Sequence, residues 1–367
     1  MIVTEQKINQ LKGHYDSFFW NSEPITNHVR EKYIKTIRAY DNKCENEIKI
    51  SELILKIPYY NTYFSPIVKY KSISSGIINE EYTENIELDG SILIQRKNIN
   101  VLDFVSYFDK NINSNNSGAD FLRLLINSYK ELSKILLILR ENKVCFMDLK
   151  YDKIVFDNNG FPMLDDFEEA IYYDDFKIMN SLIPSYYIWP LEIHIISFLA
   201  NNNDCLTISK EDIENICKNY VVKNRALLIM DKNEIIKYYK KCVTYMMRFV
   251  NKPKMEIIIV LKNDGIKTWD NYSLSIMYLQ LLMNIFGGEK GCNNKFKTFF
   301  SRHLINNLSP EPKERVGIEK NAEMIEALYN NVDWIQLNEE VSGISKDIIM
   351  ERIIDDVNHI NKILMDY

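Results

Sequence analysis

A chain of 367 residues with 46% hydrophobic side chains can bury a large core, which argues against disorder as its main state and suits two domains or one two-part unit. The formal net charge of -6 argues against a general nucleic-acid binder, which gathers Lys and Arg into an unbalanced basic surface. The six cysteines (Cys44, Cys145, Cys205, Cys217, Cys242, Cys292) form no CxxC pair, the start at Met1 is too polar for a secretion signal, and no apolar run is long enough to span a bilayer; a soluble, cytoplasmic protein with reduced thiols and no membrane or nucleic-acid partner is expected.

Residues 30–38 alternate partly apolar and polar side chains, as a half-buried strand does. Ile48, Leu53, Ile54 and Ile57 then recur at roughly helical spacing until Pro58 stops the pattern. Strand-like runs follow at Phe64 to Tyr70 and Ser91 to Gln95, so the first hundred residues read as strand-rich with one helix. After a turn-rich stretch from Asn111 to Gly118, a periodic helix is predicted over Asp120 to Glu141, with Leu122, Leu125, Tyr129, Leu132, Leu136 and Leu139 on its apolar side. Further helices fit near 190–200, 210–220, 232–250, 271–286 and 345–365. The order predicts an α+β chain: a strand-rich N-terminal part over residues 1–97, then a larger, mainly helical part over 98–367.

The chemistry-bearing stretch is Val144 to Glu168. It reads as a loop, a short strand, a tight turn at Asp157 to Gly160 and a second short strand, which places Asp148 and Asp166 at neighbouring strand ends. Two carboxylates so placed suit phosphoryl transfer, one orienting an attacking hydroxyl and the other holding the magnesium that neutralises the phosphates.

Asp148-Leu149-Lys150 resembles the catalytic loop of eukaryotic-type protein kinases, and Asp166-Phe167 resembles the first two residues of their Asp-Phe-Gly motif, at the family's usual separation. Trp189 to Glu192 is similar to the Ala-Pro-Glu motif, Trp269 to Leu274 to the Asp-x-Trp-Ser-x-Gly helix start, and Ser309 to Arg315 to the Asp-Pro-x-x-Arg element. The resemblance is to the Ser/Thr group, and with an AT-rich residue usage it points to the divergent kinases of large DNA viruses. It implies a bilobal protein-kinase-like fold with a helical insert over about 201–265 in the C-terminal lobe.

The resemblance also implies roles. Asp148 would be the catalytic base, Lys150 would support the transferring phosphate and Asp166 would chelate Mg2+. Phe167, Glu192, Asp270 and Arg315 would be structural, with Asp270 bracing the catalytic loop and a buried ion pair joining Glu192 to Arg315. Lys35 would bind the ATP phosphates and pair with Glu47, or with Glu52, on the following helix. Ile94, Gln95, Arg96 and Val155 would line the nucleotide, with a hinge at Arg96 and Lys97.

Several positions depart from the family. Lys153 stands where an Asn binds the second magnesium, and an ammonium cannot ligate a cation. Glu168 replaces the glycine of Asp-Phe-Gly, Phe146 and Met147 replace the His and Arg before the catalytic Asp, and Tyr33 stands where a small residue faces adenine. Gly13 is the only glycine before Lys35, so no glycine-rich lid is evident. The expected function is transfer of the ATP gamma-phosphate to Ser/Thr hydroxyls of a protein substrate. The alternatives are a pseudokinase acting as a binding scaffold and a small-molecule phosphotransferase of similar fold, against which Trp189 to Glu192 with Arg315 argues.

Overall fold

Three antiparallel strands build the N-terminal sheet. In the computed structural model, which describes residues 33–73, 90–99, 101–176, 186–202, 204–286 and 295–365, strand β1 (Tyr33–Ala39) begins the described chain. Helix α1 (Asn42–Ile54) follows, its first turn closed by Asp41, whose side chain accepts from the Cys44 amide at 2.8 Å. Strands β2 (Phe64–Ser65), β3 (Lys69–Ile73) and β4 (Ser91–Lys97) come next. Pro66, which has no amide to donate, stands between β2 and β3, so the single run from Phe64 to Tyr70 is two strands.

β4 is central, antiparallel to β1 on one side and to β3 on the other. Residues of one parity on β4, Ile92 and Ile94, join Cys44 and Ile48 of α1 and Ile67 in a buried cluster. The helix contributes the matching stripe, with Cys44, Glu47, Ile48, Ser51 and Ile54 buried at spacings of three and four.

Two units divide the chain, Met1–Asn100 with Asp166–Glu168, and Val101–Asp165 with Glu169–Tyr367. The second opens with β5 (Val101–Asp103) and α2 (Phe104–Asn111), capped by Asp103 through the Ser106 amide. Helix α3 (Ser117–Glu141) then runs for 25 residues with a continuous buried face. β6 (Val144–Cys145) leads into the loop carrying Asp148, after which β7 (Ile154–Asp157) and β8 (Pro162–Asp165) form an antiparallel hairpin, with β5 pairing to the other edge of β7. The turn depends on Asp157, which accepts from the amides of Asn159 and Phe161, and on Gly160, whose φ of 83° suits a residue without Cβ.

β9 (Ile171–Tyr172) pairs with β6. The rest is helical: α4 (Leu191–Asn201), α5 (Lys210–Lys223), α6 (Lys232–Met246), α7 (Lys254–Gly265), α8 (Trp269–Phe286), α9 (Lys295–Asn307), α10 (Lys320–Asn331), α11 (Trp334–Val341) and α12 (Lys346–Met365). Capping boxes begin α5 and α6, Ser209 with Asp212 and Asp231 with Glu234. Helices α5 to α7 occupy the stretch expected as an insert. α8 is apolar almost all round and is the core of the unit, packed against α3, α9 and α12. The chain is thus α+β, a β-rich N-terminal region followed by a mainly helical part.

Candidate functional site

The loop after β6 is held from below by one carboxylate. Asp270, in the first turn of α8, accepts from the amides of Phe146 at 2.8 Å and Met147 at 2.9 Å and from the Cys145 thiol at 3.3 Å. Burial pushes its carboxyl above the ordinary value, and the two amide hydrogen bonds oppose that shift. Met147 adopts φ 66°, a left-handed conformation costly for a side chain with a Cβ. Its amide is fixed by Asp270 and its carbonyl accepts from the Trp189 indole at 2.8 Å, so the conformation is locked from both sides.

The next residue is Asp148. Its Oδ2 lies 3.3 Å from Lys150 Nζ, and its Oδ1 accepts from the Tyr186 hydroxyl at 3.0 Å. Lys150 also lies 3.5 Å from Asp152, whose carboxyl is pushed up by burial, with Lys150 and Lys153 working against the rise. Asp148, Lys150 and Lys153 are all buried. Asp148 and Lys150 therefore form an ion pair on a loop whose preceding amides are held by Asp270.

The ion pair expected between Glu192 and Arg315 is present. Arg315 Nη2 donates to Glu192 Oε2 at 2.7 Å, Nε to the Ser309 carbonyl at 2.8 Å and Nη1 to the Thr268 hydroxyl at 2.9 Å. The Trp269 indole donates to the other Glu192 oxygen at 3.3 Å. Burial works to lower the guanidinium pKa, but the Glu192 charge and hydrogen bond more than reverse that effect. Gly265 makes room: a Cβ there would fall 2.5 Å from the Trp269 nitrogen and 2.7 Å from Glu192.

In the N-terminal unit the partner expected for Glu47 is corrected. Glu47 is bound by Arg38, 3.1 Å away, and by Arg96, not by Lys35. The reason is strand parity. Arg38 lies opposite Ile92, and Arg96 opposite Ile34, on the face that meets α1; Lys35 pairs with Gln95 on the other face. Glu52 is no substitute, since its Oε1 accepts from the Tyr70 hydroxyl on β3. Burial raises the Glu47 carboxyl, and Arg96 and Arg38 oppose the rise.

The tripeptide after β8 is tied to the same group. Asp166 takes φ 62°, the Phe167 amide approaches Glu47 Oε1 at 3.4 Å, and Phe167 meets Phe64 edge-on at 6.1 Å. Glu168, the residue in the glycine position, lies 3.2 Å from Arg38, and its carbonyl accepts from Asn46 at 2.9 Å. Glu168 thus anchors this segment to α1 and β1.

The residues expected along a nucleotide divide by face. Ile94 sits in the core cluster and the Arg96 guanidinium is engaged with Glu47, while Gln95 lies on the opposite face with Lys35. Arg96 and Lys97 are the end of β4, so the hinge expected there is strand. Val155 lies mid-β7, opposite Asp103 and Met163. The segment before residue 33, with Gly13 and the place where a glycine-rich lid is expected, lies outside the described residues.

Among the described residues no three His, Cys, Asp or Glu side chains gather as a metal cluster. Mg2+ usually takes one or two carboxylates plus phosphate oxygens, so a single Asp166 carboxylate fits that ion when the phosphates supply the rest.

Sequence reasoning missed Arg38 and Tyr186, and it gave Arg96 and Trp189 other roles than the contacts with Glu47 and the Met147 carbonyl that the structure shows. A signal for the first was available, because Thr36-Ile37-Arg38 fits a small-apolar-cation pattern better than Tyr33-Ile34-Lys35, whose first residue is bulky. No protein-family model matches the sequence, and no curated protein matches it.

Proposed function

We propose that this chain is a divergent protein kinase, with a protein-kinase-like fold, that transfers the ATP gamma-phosphate to Ser/Thr hydroxyls of a protein substrate. The observation that carries the reading is the Asp148–Lys150 pair, 3.3 Å apart, on a loop pinned by Asp270. Phosphoryl transfer asks little covalent chemistry of a protein and much positioning of charge, which this arrangement supplies. Asp148 accepts the proton of the substrate hydroxyl as its oxygen bonds to the gamma-phosphorus. The bond from that phosphorus to the β–γ bridging oxygen breaks, and ADP leaves. Lys150, whose ammonium is held beside Asp148, compensates charge on the transferring group. Bound through Asp166, Mg2+ would neutralise the phosphates.

The cation of the N-terminal unit is Arg38 in this reading, in place of the Lys35 that sequence spacing suggested. Its position beside Glu47 supports the assignment. Incubation with Mg-ATP and dephosphorylated casein, followed by mass spectrometry, tests the proposal. Phosphorylated Ser or Thr that disappears with Asp148→Asn supports it, and equal signal from both proteins sinks it.

A second reading, a pseudokinase scaffold, is favoured by a specific observation. Two guanidinium groups rather than one lysine are engaged with Glu47, and Lys153 is buried where a magnesium ligand would serve. A ligand that binds the native state must raise its stability, by about 2.7 kcal/mol at a hundredfold excess over Kd. No rise in Tm at millimolar Mg-ATP, together with no transfer, selects the scaffold.

A further inference from the structure

Both oxygens of the proposed base have partners, and one of them comes from far along the chain. Lys150 faces Oδ2, while the Tyr186 hydroxyl donates to Oδ1 at 3.0 Å. We propose that Tyr186 is a positioning residue for phosphoryl transfer: its phenol fixes the Asp148 carboxylate in one orientation, leaving the remaining lone pairs for the substrate hydroxyl. The inference rests on the kinase reading above.

The contact is built into its surroundings. Tyr186 is fully buried, and its ring meets the Trp189 ring edge-on at 5.0 Å and 90°. The same indole donates to the Met147 carbonyl, so Tyr186 and the residue preceding Asp148 are anchored to one side chain. On the other side, the Tyr187 hydroxyl accepts from Gln280 of α8 at 2.9 Å. A phenol so confined has few rotamers to explore, and an off-centre carboxylate would lose its donor.

Burial first, then the Asp148 charge, drives the Tyr186 phenol well above its ordinary value, so it stays protonated and can only donate to the anion. The charged or titratable groups around the contact are Asp148, Lys150, Asp152, Lys153 and Tyr187. A carboxylate has about four lone-pair sites, so two donors do not exhaust it.

The test uses the full chain, Mg-ATP and dephosphorylated casein, comparing wild type, Asp148→Asn and Tyr186→Phe, with Tm recorded for each. A hydrogen bond to a charged group corresponds to a loss of roughly tenfold or more in kcat for Tyr186→Phe, with the KM for ATP little changed. The acid limb of its kcat profile moves to higher pH, because the ionised carboxylate has lost a donor. If Tyr186→Phe fails to fold, 3-fluorotyrosine at position 186 keeps the bulk and strengthens the donor, moving the acid limb to lower pH. Transfer lost in Asp148→Asn but unaltered in Tyr186→Phe overturns the role of Tyr186 and leaves the kinase reading standing. A Tyr186→Phe protein faster than wild type also overturns it, since the phenol would then be a competitor. Absence of transfer by wild type removes both.

Discussion

Arg315 donates to Glu192 across 2.7 Å with both side chains shut off from solvent. Removing one partner strands a buried charge, at a cost of about 3–5 kcal/mol. Arg315→Met is expected to lower the unfolding free energy by that amount in urea titration. The double change Glu192→Leu with Arg315→Met removes both charges and is expected to recover part of the loss, because desolvation is then no longer required. Equal destabilisation by the single and double variants would show that the pair is not the cause.

The Asp270 brace makes a more local prediction. In Asp270→Asn one amide of the loop keeps an acceptor, while the other faces an NH2 group that cannot accept. The expected cost is about 1–3 kcal/mol, the price of an unsatisfied buried donor. Hydrogen exchange should speed up at Phe146 and Met147 more than in α3, whose backbone bonds do not involve Asp270. Uniform loss of protection over both regions would count against a local brace.

What could be read in the sequence, and what could not, follows from the distance over which each signal acts. The β7–β8 hairpin, the long helix α3 and the Asp148–Lys150 pair lie within short windows whose turn residues and periodicity are visible locally. The start of α1 at Asn42 is not legible from the apolar spacing of Ile48, Leu53 and Ile54, because the Asp41 cap sets it. Helices α7 and α9 to α11 match none of the individual helices predicted from periodicity; α9 to α11 are amphipathic segments with many polar residues, and tertiary packing defines them. Lys35 illustrates a sharper limit. A shift of three residues along a strand moves a side chain to the other face, and only the β1–β4 register shows that Arg38, with Arg96, lies on the face that meets Glu47. Tyr186 reaches Asp148 from 38 positions along the chain, a contact without any local pattern.

That register separates Lys35 from Arg38 experimentally. If the proposed nucleotide site uses Arg38, the Tm rise produced by millimolar Mg-ATP should shrink sharply in Arg38→Ala and persist in Lys35→Ala. Arg38→Ala leaves Arg96 beside Glu47, so the N-terminal unit is expected to fold. A lost shift in Lys35→Ala with a normal one in Arg38→Ala would restore the assignment made from spacing.

His303 on α9 supplies a pH-dependent prediction independent of catalysis. Its Nε2 lies 2.9 Å from the Asn321 side-chain oxygen, while the Asn321 amide nitrogen donates to Ser133 at 3.1 Å and to Asn271 at 2.9 Å. Those two donations orient the Asn321 amide, so its oxygen accepts and His303 carries its proton on Nε2 in the neutral ring. Burial lowers the His303 pKa from 6.5, outweighing the Asn321 hydrogen bond, which acts to raise it. The unfolded chain therefore takes up the proton first as pH falls. The stability that His303 provides is complete above pH 6.5 and drains away below it, toward the lowered folded value. His359, also lowered by burial, adds a second contribution of the same sign. Urea midpoints measured from pH 7.5 downward should thus fall below about pH 6.5 in wild type. His303→Gln keeps a donor for Asn321 without titrating, and its midpoint should fall less steeply over that range. Identical slopes for the two proteins would mean that the ring is not held neutral by its surroundings.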